Sequence, residues 1–183
     1  AHGEGSPLWS RSTLWPVSVQ ADPNAVAAKQ AITEVLFRYC RALDRMDEQL
    51  AYSVWHPDGT AHYSGLFEGS GRCFVDWVNE LHEEMESTSH QVTNVLIELA
   101  EGGRHAVSEA YVTVRMRTSV EHAGFDIVGV GRYLDEWSCR DGRWAIDHRR
   151  YVGDFITTVP VPAPDDRPHV EPAAVVGLLD SRR

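Results

Sequence analysis

Asp44 and His90 are the two residues whose types best support proton transfer. Asp44 lies near the end of a predicted helix, where the helix dipole disfavours a carboxylate. His90 lies in the segment T-S-H-Q-V-T-N, at the entry of a predicted strand. A carboxylate that orients a neutral imidazole makes it a general base able to take a proton from carbon or oxygen. The two residues are therefore candidates for an acid–base pair.

Each of the two residues also has a purely structural interpretation. Asp44 could instead accept hydrogen bonds from nearby backbone N–H groups or from Arg41. A histidine at a strand entry is often hydrogen-bonded for structural reasons alone, and sequence spacing does not show that it meets Asp44. Both interpretations stay open on the sequence.

Metal and cofactor chemistry has no support in the remaining residues. The other histidines lack a zinc-ligand spacing such as H-E-x-x-H, and Cys40, Cys73 and Cys139 include no C-x-x-C pair. We expect free thiols in a reducing compartment, no metal and no cofactor.

Composition narrows the classes of partner. The 183 residues carry a formal net charge of −10, so a nucleic-acid backbone would be repelled. An apolar content of 43% is typical of a globular domain. We see no apolar run of the roughly 20 residues that a bilayer span needs and no signal-peptide pattern. The sequence predicts a soluble, cytoplasmic protein that binds neither nucleic acid nor membrane.

Three helices are predicted ahead of the strands. Asp22 followed by Pro23 indicates a helix start, and apolar residues at intervals of three and four continue that helix to about Asp44. A second helix is predicted from Asp47 to Trp55, before a turn at residues 57–59. Ser70 is the expected cap of a third helix.

The pattern then changes to the period of strands. A hairpin is predicted over residues 61–64 and 66–69, and four longer strands over residues 90–99, 106–118, 125–137 and 143–152. Helices followed by an antiparallel meander describe an α+β domain in which a curved sheet wraps the helices and leaves a cavity. We assign residues 22–159 to this domain, residues 1–21 to an irregular arm and residues 160–183 to a proline-rich tail. Both end segments suggest contacts between subunits.

Several segments together resemble a known family. Y-C-R-A-L-D-R-M-D, W-H-P-D-G, T-S-H-Q-V-T-N, G-x-G-R-Y-x-D-E-W and R-D-G-R-W-A-I occur in an order, between about Ala25 and Thr158, that resembles the SnoaL-like branch of the nuclear transport factor 2-like superfamily. The resemblance implies a cone-shaped α+β barrel. It also implies an Asp–His dyad in the cone, formed here by Asp44 and His90.

The resemblance implies further site residues. Tyr39 matches a tyrosine placed against the substrate, and Arg149 matches an arginine that stabilises a leaving anion or enolate. Arg150 is the alternative, because a one-residue bulge would exchange the two. Asn94 also falls in a matching segment.

The expected lining of the pocket is acidic at one point and otherwise aromatic. Glu109 either faces the cavity or pairs with an arginine such as Arg115. The aromatic candidates, which line an apolar pocket or form ordinary core, are Trp55, Tyr63, Phe67, Trp77, Tyr111, Phe125 and Tyr133.

Two functions are consistent with these features. The first is a cofactor-independent lyase of the dehydratase type, or an isomerase, acting on a small, hydrophobic, cyclic and oxygenated molecule. The second is a non-catalytic ligand-binding module, or an assembly subunit resembling the small subunit of aromatic-ring dioxygenases. Members of this branch are trimers or dimers, so the resemblance implies a homo-oligomer.

Overall fold

A computed structural model describes residues 22–120 and 123–161. Helices precede most of the strands, in the order α1 (Pro23–Arg45), α2 (Glu48–Ser53), β1 (Trp55–Tyr63), β2 (Phe67–Ser70), α3 (Gly71–Glu83), β3 (Ser87–Leu99), β4 (His105–Val120), β5 (Ala123–Arg140) and β6 (Arg143–Val161). No helix within these ranges is long and apolar enough to span a bilayer. The predicted N-terminal arm and most of the C-terminal tail lie outside the described residues, while Pro160 and Val161 are the last residues of β6.

Helix α1 forms as its sequence predicts. The Asp22 side chain accepts a hydrogen bond from the Asn24 N–H, and Pro23 supplies the fixed φ of the first turn. Met46 ends the helix in the left-handed conformation, with φ of 50°. The helix packs against β3 and β6, so its last turn lies beside the sheet.

The six strands form one mixed, unclosed sheet in the order β2-β1-β6-β5-β4-β3. The predicted α+β class and the antiparallel meander of β3 to β6 are confirmed. The sheet is not antiparallel throughout, because β1 pairs with β6 in parallel.

The predicted second helix and its following turn were partly wrong. α2 ends at Ser53, and Trp55 already begins β1. Residues 57–59 lie inside β1, where its register with β6 shifts between Trp55 and Thr60. Gly59 allows this irregular pairing, because a Cβ there would lie 2.7 Å from the Ile146 carbonyl oxygen.

A packed aromatic cluster fills the space between α3, α1 and the sheet. Tyr63 stacks on Phe74 with ring centroids 4.3 Å apart, and Trp55 contacts both Phe74 and Tyr39. Gly71 begins α3 directly against this cluster, since a Cβ there would lie 2.3 Å from Trp55 Cδ2. Close packing of α3 on β1 therefore depends on the missing side chain.

Gly71→Ala should lower the free energy of unfolding by about 2–3 kcal/mol, because the buried Trp55 ring has little room to move. Gly129→Ala is the matched control, since its Cβ would meet nothing closer than Ile156 Cγ1 at 3.9 Å. Urea denaturation of the two variants and the wild type measures the difference. Equal stability of the two variants would contradict this packing account.

Candidate functional site

The Asp44 carboxylate is held against the start of β3. The His90 backbone N–H donates to both carboxylate oxygens at 3.0 Å, and the His90 Nδ1 lies 2.7 Å from Oδ1. The Thr88 hydroxyl donates a longer hydrogen bond of 3.4 Å to Oδ1. These donors compensate the unfavourable position of a carboxylate in the last turn of a helix. The structure thus brings Asp44 and His90 into direct contact.

This contact selects one form of the imidazole. The carboxylate accepts a hydrogen bond from Nδ1–H, so in the neutral ring the lone pair lies on Nε2. The His90 side chain is 5% exposed and that of Asp44 is 19% exposed, which limits competition from water. Nε2 is then free to accept a proton, and the Asp44 charge would stabilise the resulting imidazolium.

An open groove between α1 and β3 leads to the pair. Its volume is about 450 Å³, and it is lined by Phe37, Cys40, Arg41, Asp44, Arg45, His90 and Val92. Burial raises the pKa of the Cys40 thiol to about 12, so this lining residue is not a thiolate at neutral pH. A small molecule in the groove would lie directly against the Asp44–His90 pair.

His82 is a second histidine beside the pair, and sequence reasoning missed it. It lies in the last turn of α3, is 4% exposed, and its ring centroid is 5.5 Å from that of His90. Burial lowers the pKa of His82 to about 4, and the neighbouring His90 acts in the same direction. Its Nδ1 has no hydrogen-bond partner among the described residues. His82 is therefore neutral at pH 7 and adds no positive charge beside His90.

The spacing of residues along α3 could have identified His82 as a buried residue. It follows Phe74 and Val78 at intervals of four, so it occupies the buried face of α3. A polar residue on an otherwise apolar face is the pattern that would have marked it as a candidate.

Arg149 lies in the core, paired with a residue that sequence reasoning also missed. Its Nε and Nη2 donate to the two carboxylate oxygens of Asp135 at 2.7 and 2.8 Å, and both side chains are 0% exposed. Burial disfavours the charged guanidinium, but the Asp135 charge and hydrogen bonds outweigh it, and the pKa of Arg149 is raised. Arg149 faces inward and Arg150 is exposed, because β6 has a register irregularity between Ile146 and His148.

Tyr39 belongs to this buried cluster and is separate from the Asp44 carboxylate. Its hydroxyl shares a 3.0 Å hydrogen bond with that of Tyr63, and the Arg149 guanidinium lies 4.2 Å from its ring centroid. Tyr133 covers the other part of the guanidinium at 3.9 Å. Since α1 continues to Arg45, five residues place Tyr39 about 140° around the helix from Asp44. Burial raises the pKa of Tyr39.

Most of the aromatic residues expected to line a pocket are packed against one another. Trp55, Tyr63 and Tyr133 are buried in the cluster, and Phe67 and Trp77 lie half-buried at its edge, with ring centroids 5.5 Å apart. Phe125 is half-buried at the other end of β5. These residues act as core in the described conformation.

Two further candidates, both on β4, lie away from the groove. Tyr111 is 42% exposed, because it alternates along β4 with the buried Ala110 and Val112. Glu109 shares that side of the strand and lies 3.6 Å from Arg132, so it pairs with an arginine other than Arg115.

Asn94 is exposed at a bulge in β3, with φ of 50°. The bulge turns this residue away from the position that a regular strand would give it. Within residues 22–120 and 123–161, no group of three or more His, Cys, Asp or Glu side chains is placed to hold a metal ion.

Comparison with known proteins adds a family and a set of structural relatives. Residues 24–150 match the family model described as SnoaL-like domain. No curated protein matches the chain by sequence.

Solved structures give the same fold at low identity. A protein provisionally named scytalone dehydratase, from Novosphingobium aromaticivorans, is 22% identical with a TM-score of 0.67, over 80% of this chain and 98% of that one. A hexachlorocyclohexane dehydrochlorinase (LinA) Type2 is 20% identical with a TM-score of 0.67, over 85% and 100%. A LinA-type3 dehydrochlorinase from Novosphingobium barchaimii is 19% identical with a TM-score of 0.66, over 76% and 94%. At these identities the likeness establishes the fold alone.

His82 should make the protein less stable as the pH falls. The unfolded ring binds a proton near pH 6.5 and the folded ring only near pH 4, so the unfolded state holds more protons between these values. Between pH 6.5 and pH 4, protonation of His82 in the unfolded state should lower the free energy of unfolding of the wild type by roughly 3 kcal/mol. His82→Gln should not show this decrease. Denaturant titrations at several pH values measure it, with His62→Gln as a control at a more exposed site. Parallel pH profiles of wild type and His82→Gln would contradict the assignment.

Asp135→Asn should destabilise the fold by about 3–5 kcal/mol, because it leaves the buried Arg149 charge uncompensated. The matched control is Asp126→Asn, which breaks the partly exposed pair with Arg117 and should cost at most about 1 kcal/mol. Thermal and urea unfolding measure both. Equal decreases in the free energy of unfolding of the two variants would contradict the prediction that the buried Asp135 pair contributes more to stability than the partly exposed Asp126 pair.

Proposed function

The chain belongs to the SnoaL-like domain family, and from this premise we propose that it is a small-molecule lyase or isomerase that uses His90 as its general base. The observation that carries the proposal is the 2.7 Å contact between His90 Nδ1 and Asp44 Oδ1, which leaves Nε2 available beside an open groove. Dehydrochlorinase and dehydratase names among the structural relatives agree with elimination chemistry.

The proton transfer can be written with these two residues. His90 Nε2 removes a proton from a substrate carbon, and the C–H electron pair forms a C=C bond as the neighbouring C–O bond breaks. The departing hydroxide takes the proton from the imidazolium, so water leaves and His90 is neutral again. Asp44 orients the ring and stabilises the imidazolium during the step. In an isomerisation the imidazolium returns the proton to a different carbon of the substrate.

His82 supports this step by staying neutral. A protonated imidazole 5.5 Å from His90 would oppose formation of a second positive charge. The low pKa of His82 avoids that repulsion at pH values where His90 works as a base.

The expected substrate contacts of Tyr39 and Arg149 are not part of the proposal. Both side chains are fully buried, and Asp135 already accepts two hydrogen bonds from the guanidinium. We assign Arg149 to the scaffold of the cone and the proton chemistry to Asp44 and His90.

A mass-spectrometric screen tests the proposal. Wild type, His90→Gln and Asp44→Asn are incubated with hydroxylated cyclic ketones, phenols and steroids, in H2O and in D2O, and both loss of water and deuterium uptake are read. We expect turnover or exchange in the wild type, with a reduction of at least about a hundredfold in His90→Gln, as for loss of a general base. Asp44→Asn should also lose activity.

His62→Gln is the matched control, because among the described residues this histidine pairs with Glu68 at a more exposed position. It should retain wild-type turnover. Binding of a panel compound by all variants, without product or deuterium uptake from any of them, would contradict the enzyme proposal and support the ligand-binding module.

A further inference from the structure

The helix-side face of the sheet continues beyond the helices as an apolar surface beside His90. The imidazole of His90 lies on this face, because it contacts Asp44 of α1. Residues that pair directly across neighbouring strands present their side chains on the same face of a sheet. Those that pair in one row with His90, across β4, β5 and β6, are Val114, Gly129 and Ile156. The row therefore runs from the candidate base across four strands.

Two more rows continue this face toward the end of β6. Each lies two residues further along the strands, since successive side chains of a strand alternate between the two faces. The next row contains Met116 and Ile127, and the last contains Phe125 and Pro160. We call this surface the apolar shelf, and it consists of Val114, Met116, Phe125, Ile127, Ile156 and Pro160.

The shelf is open in the part of the chain that the structure describes. Ile156 is 69% exposed, and Met116, Phe125 and Ile127 are only half-buried. A sheet normally buries its apolar face against another element, as the aromatic cluster does beneath α3. Apolar exposure that is clustered, unlike that of single residues, indicates a surface that another segment or molecule covers.

The size of the shelf suits a short chain segment better than a second copy of the protein. Its width across four strands is about 14 Å, and its length over three rows is about 13 Å. The resulting area of roughly 200 Å² is far below the 800 Å² or so that each partner buries in a standard interface. A segment of seven residues, which is at most about 25 Å long, is sufficient to cross it.

The chain that follows β6 contains such a segment within reach. Val161 ends β6 next to Pro160 of the shelf. Residues 162–172 then include four prolines, and residues 173–179 read A-A-V-V-G-L-L. A proline-rich linker of this length extends to about 34 Å, which exceeds the dimensions of the shelf. The apolar segment can therefore return to the strand from which the tail leaves.

The N-terminal arm joins the protein at a greater distance from the shelf. It precedes Asp22 at the start of α1, whereas Asp44 at the other end of α1 contacts His90. A helix of 23 residues is about 34 Å long, so the arm begins far from the row that contains His90. Proximity therefore favours the C-terminal segment as the occupant.

We propose that residues 173–179 dock on the apolar shelf of the same chain, with their valine and leucine side chains on Ile156 and the row that begins at His90. Burial of apolar surface that the described residues leave open supplies the driving force. This contact goes beyond the proposed function, because docking requires no reaction at His90.

Photo-crosslinking of the full chain tests which segment covers the shelf. Ile156→p-benzoylphenylalanine places the crosslinking ketone on the shelf. Phe155→p-benzoylphenylalanine is the matched control, since Phe155 is 56% exposed and lies on the opposite face of the same strand. The purified proteins are irradiated, monomeric and dimeric products are separated, and the crosslinked peptides are identified by mass spectrometry. Circular dichroism and thermal unfolding show that each variant is folded.

We expect position 156 to crosslink to residues 173–179 within one chain, at least about tenfold more often than position 155. A tail without a docking site would reach both faces of β6 about equally. Leu178→Asp combined with Leu179→Asp should remove most of the crosslink from position 156, because a buried carboxylate without a partner is unfavourable. Val170→Asp, in the proline-rich linker, is the control and should retain the crosslink.

Several results would overturn the inference. Equal crosslinking from positions 155 and 156, or no crosslink from position 156 to residues 173–179, would mean that the segment does not dock there. A dimer as the main product from position 156 would assign the shelf to a second copy, and crosslinks to residues 1–21 would assign it to the N-terminal arm. None of these results bears on the proposed function, which the turnover of the His90 variant tests separately.

Discussion

The placement of a carboxylate at the unfavourable end of α1 is the constraint on which the candidate site depends. Asp44 is tolerated there because the first residues of β3 surround it with donors, two of them from His90. The same contacts dock the end of α1 on the sheet and fix the tautomer of the imidazole. The contacts that stabilise this carboxylate are therefore the same contacts that would orient His90 as the proposed base, and the groove between α1 and β3 lies beside them.

The ion pair between Arg149 and Asp135 has a different environment from the Asp44–His90 contact. Arg149 and Asp135 are fully buried and form two hydrogen bonds, between Tyr39 and Tyr133 rings that cover the guanidinium. Removing either charge would leave the other unpaired in the core. The pair at Asp44 is partly open to solvent and adjoins a groove. Burial thus distinguishes the Arg149–Asp135 ion pair, which stabilises the core, from the Asp44–His90 contact that the proposed proton transfer would use.

Local signals in the sequence were sufficient for α1, α3 and the meander, and the family resemblance suggested Asp44 and His90 as the candidate pair. What could not be predicted depends on register and long-range pairing. The parallel pairing of β1 with β6 and the irregularity at residues 57–59 require knowledge of which strands become neighbours.

Whether Arg149 or Arg150 faces inward depends on one extra residue in β6. Asp135 was missed because its partner is 14 residues away on the next strand, and His82 was missed because it is a single polar residue on the otherwise apolar buried face of α3.

The tautomer of His90 tests the central claim most directly. Nitrogen-15 NMR of the imidazole, in wild type and Asp44→Asn at neutral pH, reports which ring nitrogen carries the proton. The geometry predicts a proton on Nδ1, strongly deshielded by its short hydrogen bond to Asp44, with Nε2 unprotonated. This deshielding should disappear in Asp44→Asn. A wild-type His90 with its proton on Nε2, and a spectrum unchanged in Asp44→Asn, would contradict the account.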